Sequence, residues 1–322
     1  MNSIKNIISR RLENITYARY AFFIVLFLSI LLNGFVFSNF TLAPFFHLSI
    51  MLLGIAFWNK SKWFLFIFTS LITFCRFYFS HETFPLFEVV VLSHWITYFL
   101  ITLMAASLTK NSLKAKKNSI DLVQALAKSL DARDPYTAFH SNNVANYALK
   151  IAEEIGLPKS TRESIYIGGL LHDIGKIGIP ENILTKSSRL TEIEYDTIKK
   201  HPTIGYETLK HISSLQENRI LDMIRYHHER YDGLGYPEGL KGDQIPLVAR
   251  IMAIADSFDA MTSKRSYRSE QILEFAKNEI QKGLHTQFDP EVGNIFLDIL
   301  KREGPNILQK KEWDDNPKKI IQ

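Results

Sequence analysis

Hydrophobic and polar positions divide the chain into two unlike halves. Up to about Leu108 the sequence is dominated by Phe, Leu, Ile and Val. A membrane-spanning helix needs about 20 predominantly apolar residues. Four stretches approach that length: Tyr20–Phe37, Phe40–Trp58, Trp63–Phe79 and Leu86–Leu108. Beyond Lys110 the apolar residues recur with a period near 3.6 and no strand-like alternation, which predicts an all-α domain. Lys110 to Asp134 has no Gly or Pro, and Ile120, Val123, Ala127 and Leu130 fall at helical spacing. Gly156, followed by Leu157-Pro158, is expected to stop one helix. A capping box over Ser160–Glu163 starts the next, and Gly175 ends it. Thr191–Glu194 is a second capping box, and Pro246 suits the first residue of a further helix. These signals divide the chain into 1–109 (four spans), 110–133 (a linker helix), 134–302 (a helical domain) and 303–322 (a polar, loosely held tail).

Charge orients the apolar half. Lys5, Arg10, Arg11 and Arg19 precede the first span, and Lys60 and Lys62 lie between the second and third. Lys110, Lys114, Lys116 and Lys117 follow the fourth, whereas Ser38-Asn39 and Ser80-His81-Glu82-Thr83 hold no Lys or Arg. This alternation predicts a multi-pass protein of the cytoplasmic membrane with both termini inside. The first span is not read as a signal peptide, because no small-residue cleavage site follows it. The net charge of +5 suits an anionic lipid surface. No zinc-finger or basic-helix pattern points to a nucleic-acid polymer. Cys75 is the sole cysteine, so no intrachain disulfide forms. Within the apolar half, Arg76 and Glu88 are read as snorkelling from helix ends, and His47 and His94 as a minor candidate pair for sensing, metal or haem. The linker helix pairs with its twin in a homodimer or packs on its own domain; the stripe is too short to choose.

The polar half carries a concentrated set of imidazoles and carboxylates. His172-Asp173 is followed by His201-Pro202, the doublet His227-His228 and Asp256. His140 shares a helix face with Val144, Tyr147, Ile151 and Ile155. His227 and His228 follow Ile220, Leu221 and Ile224 at helical spacing, and Asp256 follows Val248 and Met252. Ionisable groups on several inward faces are costly alone and are explained together by a metal centre inside a helical bundle. Imidazole and carboxylate donors without thiolate suit iron or manganese and argue against a structural zinc.

In order along the chain stand Arg133-Asp134-Pro135-Tyr136-Thr137, His140-Ser141, Leu171-His172-Asp173-Ile174-Gly175-Lys176-Ile177-Gly178-Ile179-Pro180, His201-Pro202 and His227-His228-Glu229-Arg230. Tyr231-Asp232-Gly233-Leu234-Gly235-Tyr236-Pro237, Ala249-Arg250-Ile251, Asp256, Asp259-Ala260, Tyr267-Arg268 and Phe288-Asp289-Pro290 complete the series. This ordered set resembles the HD-GYP domain, a branch of the HD metal-dependent phosphohydrolases, from about Asp131 to Phe296. The resemblance says nothing of the first hundred residues. With the apolar half, it implies an all-α protein: a four-helix transmembrane region followed by a cytosolic, all-helical HD-type metallohydrolase bundle.

The implied activity is a phosphodiesterase that opens cyclic di-GMP to pGpG, some members continuing to GMP. By the resemblance, His140, His172, Asp173 and Asp256 hold one metal. Asp173 bridges to a second, also held by His201, His227 and His228. Lys176 contacts the scissile phosphate, Gly235-Tyr236-Pro237 lies beside the pocket, and Arg265 reaches the nucleotide phosphate. Two metals sharing a carboxylate can activate water for in-line attack, with Lys176 stabilising charge on the phosphate. Gly233, Gly235, Gly239 and Gly242 keep the loop after the doublet permissive.

Some members carry a Glu one turn before the first His and bind a third metal; Tyr136 stands there, which implies two. Arg265-Ser266-Tyr267-Arg268 stands where the family often has Arg-Pro-Tyr-Arg, which bears only on turn geometry. Three other readings stay open: a receptor that binds nucleotide without turnover, a protein-docking role for the Gly235-Tyr236-Pro237 loop, and a hybrid cyclic dinucleotide as substrate.

Overall fold

A computed structural model describes residues 2–36, 43–80, 87–133, 139–186, 188–263 and 269–308. Among these the chain is helical, with one isolated β-bridge, Leu284 to Phe288, and no strand. It separates into two compact units, Asn2–Ser119 and Ile120–Asn316, so the division falls inside the 110–133 linker segment.

The first unit contains α1 (Asn2–Leu31), α2 (Ala43–Ala56), α3 (Lys62–Ser80) and most of α4 (Phe87–Asp131). Residues Ile15–Gly34 and the helix α4 are long and apolar enough to cross a membrane, whereas α2 is a shorter apolar helix. Phe22, Phe46, Ile50, Leu53, Ile72 and Tyr98 form its apolar core. Gly54 lets α2 approach α4 closely, since a Cβ there would lie 2.5 Å from the Thr102 carbonyl. Polar side chains are buried beside this apolar core. Ser29, Asn33, Ser49, Thr69, Thr73, Arg76 and Thr102 are buried. Hydroxyl pairs link the helices, Ser29 to Ser49 at 3.3 Å and Thr69 to Thr102 at 3.2 Å. Outward ladders are apolar: Ile67, Leu71, Phe74 and Tyr78 on α3, and Leu92, Ile96, Leu100, Met104 and Leu108 on α4.

Arg76 departs from the snorkelling expectation. It is buried, donates to the Tyr98 hydroxyl at 2.5 Å and lies over the Phe77 and Tyr98 rings. A phenol acceptor and two ring faces compensate the guanidinium inside the unit. Glu88 is exposed in the first turn of α4. His47 and His94 each bond through Nδ1 to the carbonyl four residues back, Ala43 and Val90, and both rings meet Tyr98 edge-on.

The second unit packs α5 (His140–Glu154) against α6 (Lys159–Leu171) and α12 (Leu247–Ser263). The helix α11 (Ile220–Tyr226) lies on α6 and on α9 (His201–Leu209), which itself covers the 3₁₀ segment Ile174–Gly178. The short helices α7 (Glu181–Leu184), α8 (Glu192–Ile198) and α10 (Ser213–Glu217) connect them; α13 (Ser269–Gly283) and α14 (Pro290–Glu303) close the bundle. Val144, Tyr147, Ile151, Ile165, Met223 and Phe258 are among its fully buried core residues. Gly169 brings α6 onto the backbone of α5, where a Cβ would meet the Ala145 Cα at 2.5 Å.

Local signals hold in places and shift in others. Thr191 and Glu194 make the reciprocal capping box that opens α8, and Gly156 takes φ +79° after α5. The Ser160–Glu163 box does not form: α6 begins at Lys159 with Pro158 at its N-cap, so Ser160 is already in the first turn. Gly175 does not end α6, which stops at Leu171; it lies inside the 3₁₀ segment. Pro246 precedes α12 rather than opening it, its carbonyl accepting from the Ala249 and Arg250 amides. The linker and the fourth apolar stretch form one helix, α4, ending at Asp131 rather than at Asp134. The tail begins later than expected, because Ile307 is buried in the core.

Candidate metal centre

The ligand candidates come from helix ends and one helix interior. His140 opens α5, His172-Asp173 follows α6, His201 opens α9, His227-His228 follows α11, and Asp256 lies within α12. At such ends the chain changes direction, so each imidazole can leave its helix and aim at a common point.

Four histidines are oriented by a bond at Nδ1. His172 bonds to the Gly169 carbonyl at 2.7 Å, His201 to Ile198 at 2.8 Å, and His227 to Met223 and Ile224 at 3.1 and 3.0 Å. His140 bonds to the Asp259 carboxylate at 2.8 Å. A carbonyl or carboxylate on one ring nitrogen sets that nitrogen as the donor and leaves Nε2 as the ligand atom. Those Nε2 atoms converge on Asp173. Its Oδ2 is 3.6 Å from His140 and 3.4 Å from His172; its Oδ1 is 3.2 Å from His201 and 4.0 Å from His227. Asp256 Oδ1 lies 3.2 Å from His140 and 3.9 Å from His172. His228 lies beside His227, ring centres 4.1 Å apart and tilted by 44°, and 5.0 Å from His201.

Two donor groups result, His140/His172/Asp173 and Asp173/His201/His227/His228, sharing one carboxylate. The residues fit cations on a direct observation: His172 Nε2 is fully buried with no hydrogen-bond partner. The Nε2 atoms of His201 and His227 also face each other at 3.2 Å, an arrangement that a shared cation relieves.

The electrostatics divide by location. Burial alone would lower His140, but the carboxylates of Asp173, Asp256 and Asp259 raise it well above the usual imidazole range. Burial, reinforced by neighbouring imidazoles, holds His227 well below that range and takes His228 down to about 4. Burial would raise Asp173, but the Lys176 ammonium and the His172 and His140 imidazoles hold it well below the carboxylate range. Lys176 Nζ donates to Asp173 Oδ2 at 2.5 Å. His227, His228 and Asp173 are thus in the neutral-imidazole and ionised-carboxylate forms that bind cations, whereas His140 gives up a proton to do so.

The loop after the doublet closes one side. Tyr236 stacks on His228, ring centres 4.9 Å apart, and Gly235 fits because a Cβ would lie 2.3 Å from the Arg230 nitrogen. Pro237 follows through a cis peptide. The buried Glu229 carboxylate accepts from the amides of Glu238, Gly239 and Leu240 at 2.7, 3.1 and 3.0 Å, anchoring the loop to the doublet. Arg265 and Tyr136 lie outside the described residues.

The family model described as "HD domain" matches residues 114–292, more than half the chain. The chain belongs to the HD domain family. This HD domain also aligns with curated proteins. It is 38% identical over 195 residues to a "Cyclic di-GMP phosphodiesterase" of Thermotoga maritima, covering 61% of this chain and 53% of that protein. It is 39% identical over 181 residues to the "Cyclic di-GMP phosphodiesterase response regulator RpfG" of Xanthomonas campestris pv. campestris, covering 55% and 47%. It is 38% identical over 170 residues to the "3'3'-cGAMP-specific phosphodiesterase 3" of Vibrio cholerae, covering 53% and 36%. The chain thus spans about half the length, or less, of these relatives.

Sequence reasoning gave Asp259 and Glu229 no role in this HD domain. Asp259 sits one turn beyond Asp256 on the same face of α12, the one signal that could have singled it out. Its carboxylate, also held by Ser263 Oγ at 3.0 Å, fixes the His140 ring. Replacing Asp259 with Ala is expected to weaken metal binding about 10–100-fold, measured by chelator competition. An unchanged affinity would remove Asp259 from the centre.

Proposed function

We propose that the chain is a membrane-anchored cyclic di-GMP phosphodiesterase of the HD-GYP type. It opens the 3',5'-phosphodiester to pGpG, with or without a further step to GMP, at a centre of two divalent metals, iron or manganese. The observation that carries this reading is the Asp173 carboxylate, whose two oxygens face separate imidazole pairs. Bound metals supply activated water and neutralise phosphate charge. His140, His172, Asp173 and Asp256 hold one of them; Asp173, His201, His227 and His228 hold the other. Lys176 leaves Asp173 for a phosphate oxygen as developing charge there draws the ammonium. Tyr236 presents its ring beside His228 as one wall of the pocket, and the family resemblance assigns Arg265 to the nucleotide phosphate.

The anchor reading rests on the apolar surface of the first unit. Its buried hydroxyls and outward ladders of Ile, Leu, Phe and Met suit hydrocarbon as solvent, where helices join through small and polar side chains. Lipid is then a partner of four spans, with both termini and the HD domain in the cytoplasm. On the linker part of α4, Leu122 and Leu126 are exposed, four residues apart, and suit pairing with the same helix of a second copy. Leu234, 80% exposed beside the Gly235-Tyr236-Pro237 loop, suits a protein partner docking there.

A second reading keeps the enzyme and changes the base. Identity to the Vibrio cholerae 3'3'-cGAMP-specific protein equals that to the Thermotoga maritima protein, so similarity does not separate guanine from adenine.

The test uses purified full-length protein in detergent, loaded anaerobically with iron(II) or manganese(II) and given cyclic di-GMP or 3'3'-cGAMP. Release of pGpG or GMP supports the proposal; turnover of 3'3'-cGAMP alone moves the substrate. Tight binding without product in metallated protein replaces the enzyme with a receptor.

A further inference from the structure

The end of α4 is tied to both parts of the candidate centre. Asp131, its last residue, is buried. The carboxylate accepts from the Ser141 amide at 3.2 Å and from the Ser141 hydroxyl at 2.7 Å. Ser141 adjoins His140 in the first turn of α5, a helix whose N-cap residue, Phe139, is left-handed and makes no side-chain cap. Asp131 therefore supplies, from ten residues upstream, the carboxylate that such an N-terminus requires.

Two residues on, Arg133 reaches a different segment. Its Nη1 donates to the carbonyls of Lys176 and Ile177 at 3.3 and 3.4 Å. Its Nη2 donates to the Ile179 carbonyl at 3.4 Å and to the Glu181 carboxylate at 2.7 Å, and Nε donates to the same carboxylate at 3.2 Å. These carbonyls belong to the 3₁₀ segment Ile174–Gly178 and the residue after it. A 3₁₀ turn this short holds its shape poorly on its own bonds. The planar guanidinium, with five donors in a fixed fork, can bind several acceptors at once. On the other side the segment is wedged at Gly175 against the His201 backbone, so Arg133 completes a two-sided grip on the backbone that carries Lys176.

We propose that Asp131 and Arg133 are positioning residues: Asp131 sets His140 for its metal, and Arg133 sets Lys176 for the phosphate. The bonds that carry the proposal run from Asp131 to Ser141 and from Arg133 to the backbone around Lys176. Because both stand at the end of α4, a rotation or axial shift of its last turn acts on His140 and Lys176 together. The regulatory consequence is that this helix end is where an input carried along α4 changes the chemistry. The inference rests on the phosphodiesterase reading for its Lys176 half only.

The test uses the full-length protein with manganese(II) alone for binding and cyclic di-GMP for turnover. Asp131→Ala is expected to weaken manganese binding about tenfold. Asp131→Asn, which retains an oxygen for the Ser141 hydroxyl, restores most of the affinity. Arg133→Ala is expected to leave manganese affinity unchanged and lower kcat about tenfold at nearly constant KM. Arg133→Lys, charged but without the fork, behaves like it. The double variant Arg133→Ala with Lys176→Ala is no slower than Lys176→Ala alone, because residues acting through one group are not additive. Unchanged manganese affinity in Asp131→Ala, or losses that multiply in the double variant, would overturn the proposal. If the unaltered chain binds manganese and hydrolyses no cyclic dinucleotide, the phosphodiesterase reading and the Lys176 half fail together. The affinity of Asp131→Ala then still decides the Asp131 half.

Discussion

Replacing Asp173 with alanine is expected to lower turnover of cyclic dinucleotide by about 10³-fold or more, a loss of roughly 4 kcal/mol of transition-state stabilisation. Other candidate ligands serve one donor group, whereas Asp173 belongs to both. Its removal takes away the negative charge that draws the His140 and His172 imidazoles on one side and His201 on the other. It also removes the carboxylate that the Lys176 ammonium binds. The two sites should therefore weaken together. Metal content and product formation measured on one sample check this: the variant should lose bound metal along with turnover, rather than retain half its metal. Turnover within tenfold of the unaltered chain would refute a centre built on this carboxylate.

The largest expected effect on stability lies two residues away. A Cβ on Gly175 would fall 1.9 Å from the His201 carbonyl oxygen and 2.5 Å from the Gly205 nitrogen. Both neighbours are backbone of α9, so no rotamer change relieves the overlap; the helix must move. Gly175→Ala should cost about 4 kcal/mol or more, lowering the melting temperature by roughly 10 °C. Metal affinity should fall as well, because His201 heads the displaced helix. Gly178→Ala is the control. There the nearest atom is the Ile204 Cγ2 at 3.0 Å, a side-chain contact that a shift of a few tenths of an ångström relieves, and the melting temperature should change little. Equal melting temperatures for the two variants would show that the contact at Gly175 does not constrain the fold.

The halves of the chain, the helical periodicity of its polar half and the residue types of the candidate centre were legible in the sequence because each is a local property. Apolar spacing along one helix placed His140 and Asp256 on inward faces, and Thr191 and Glu194 marked a helix start through bonds only three residues apart. Side-chain partners from distant segments were not legible. His140 finds Asp259 across 119 residues, and no period links the two. Arg76 read as an interfacial cation until Tyr98, from the packed helix α4, and its own neighbour Phe77 enclosed it. Gly175 read as a helix stop, since a glycine at a chain turn carries the same local signal whether it supplies a left-handed residue or room for a neighbour. Only packing against α9 distinguishes them. Which groups can bind a cation, and roughly where each helix runs, follow from residue order alone. The tertiary structure alone decided that they meet, which ring nitrogen each histidine presents, and that one carboxylate stands between two clusters. Long-range packing sets those distances, and donor geometry depends on distance rather than on order along the chain.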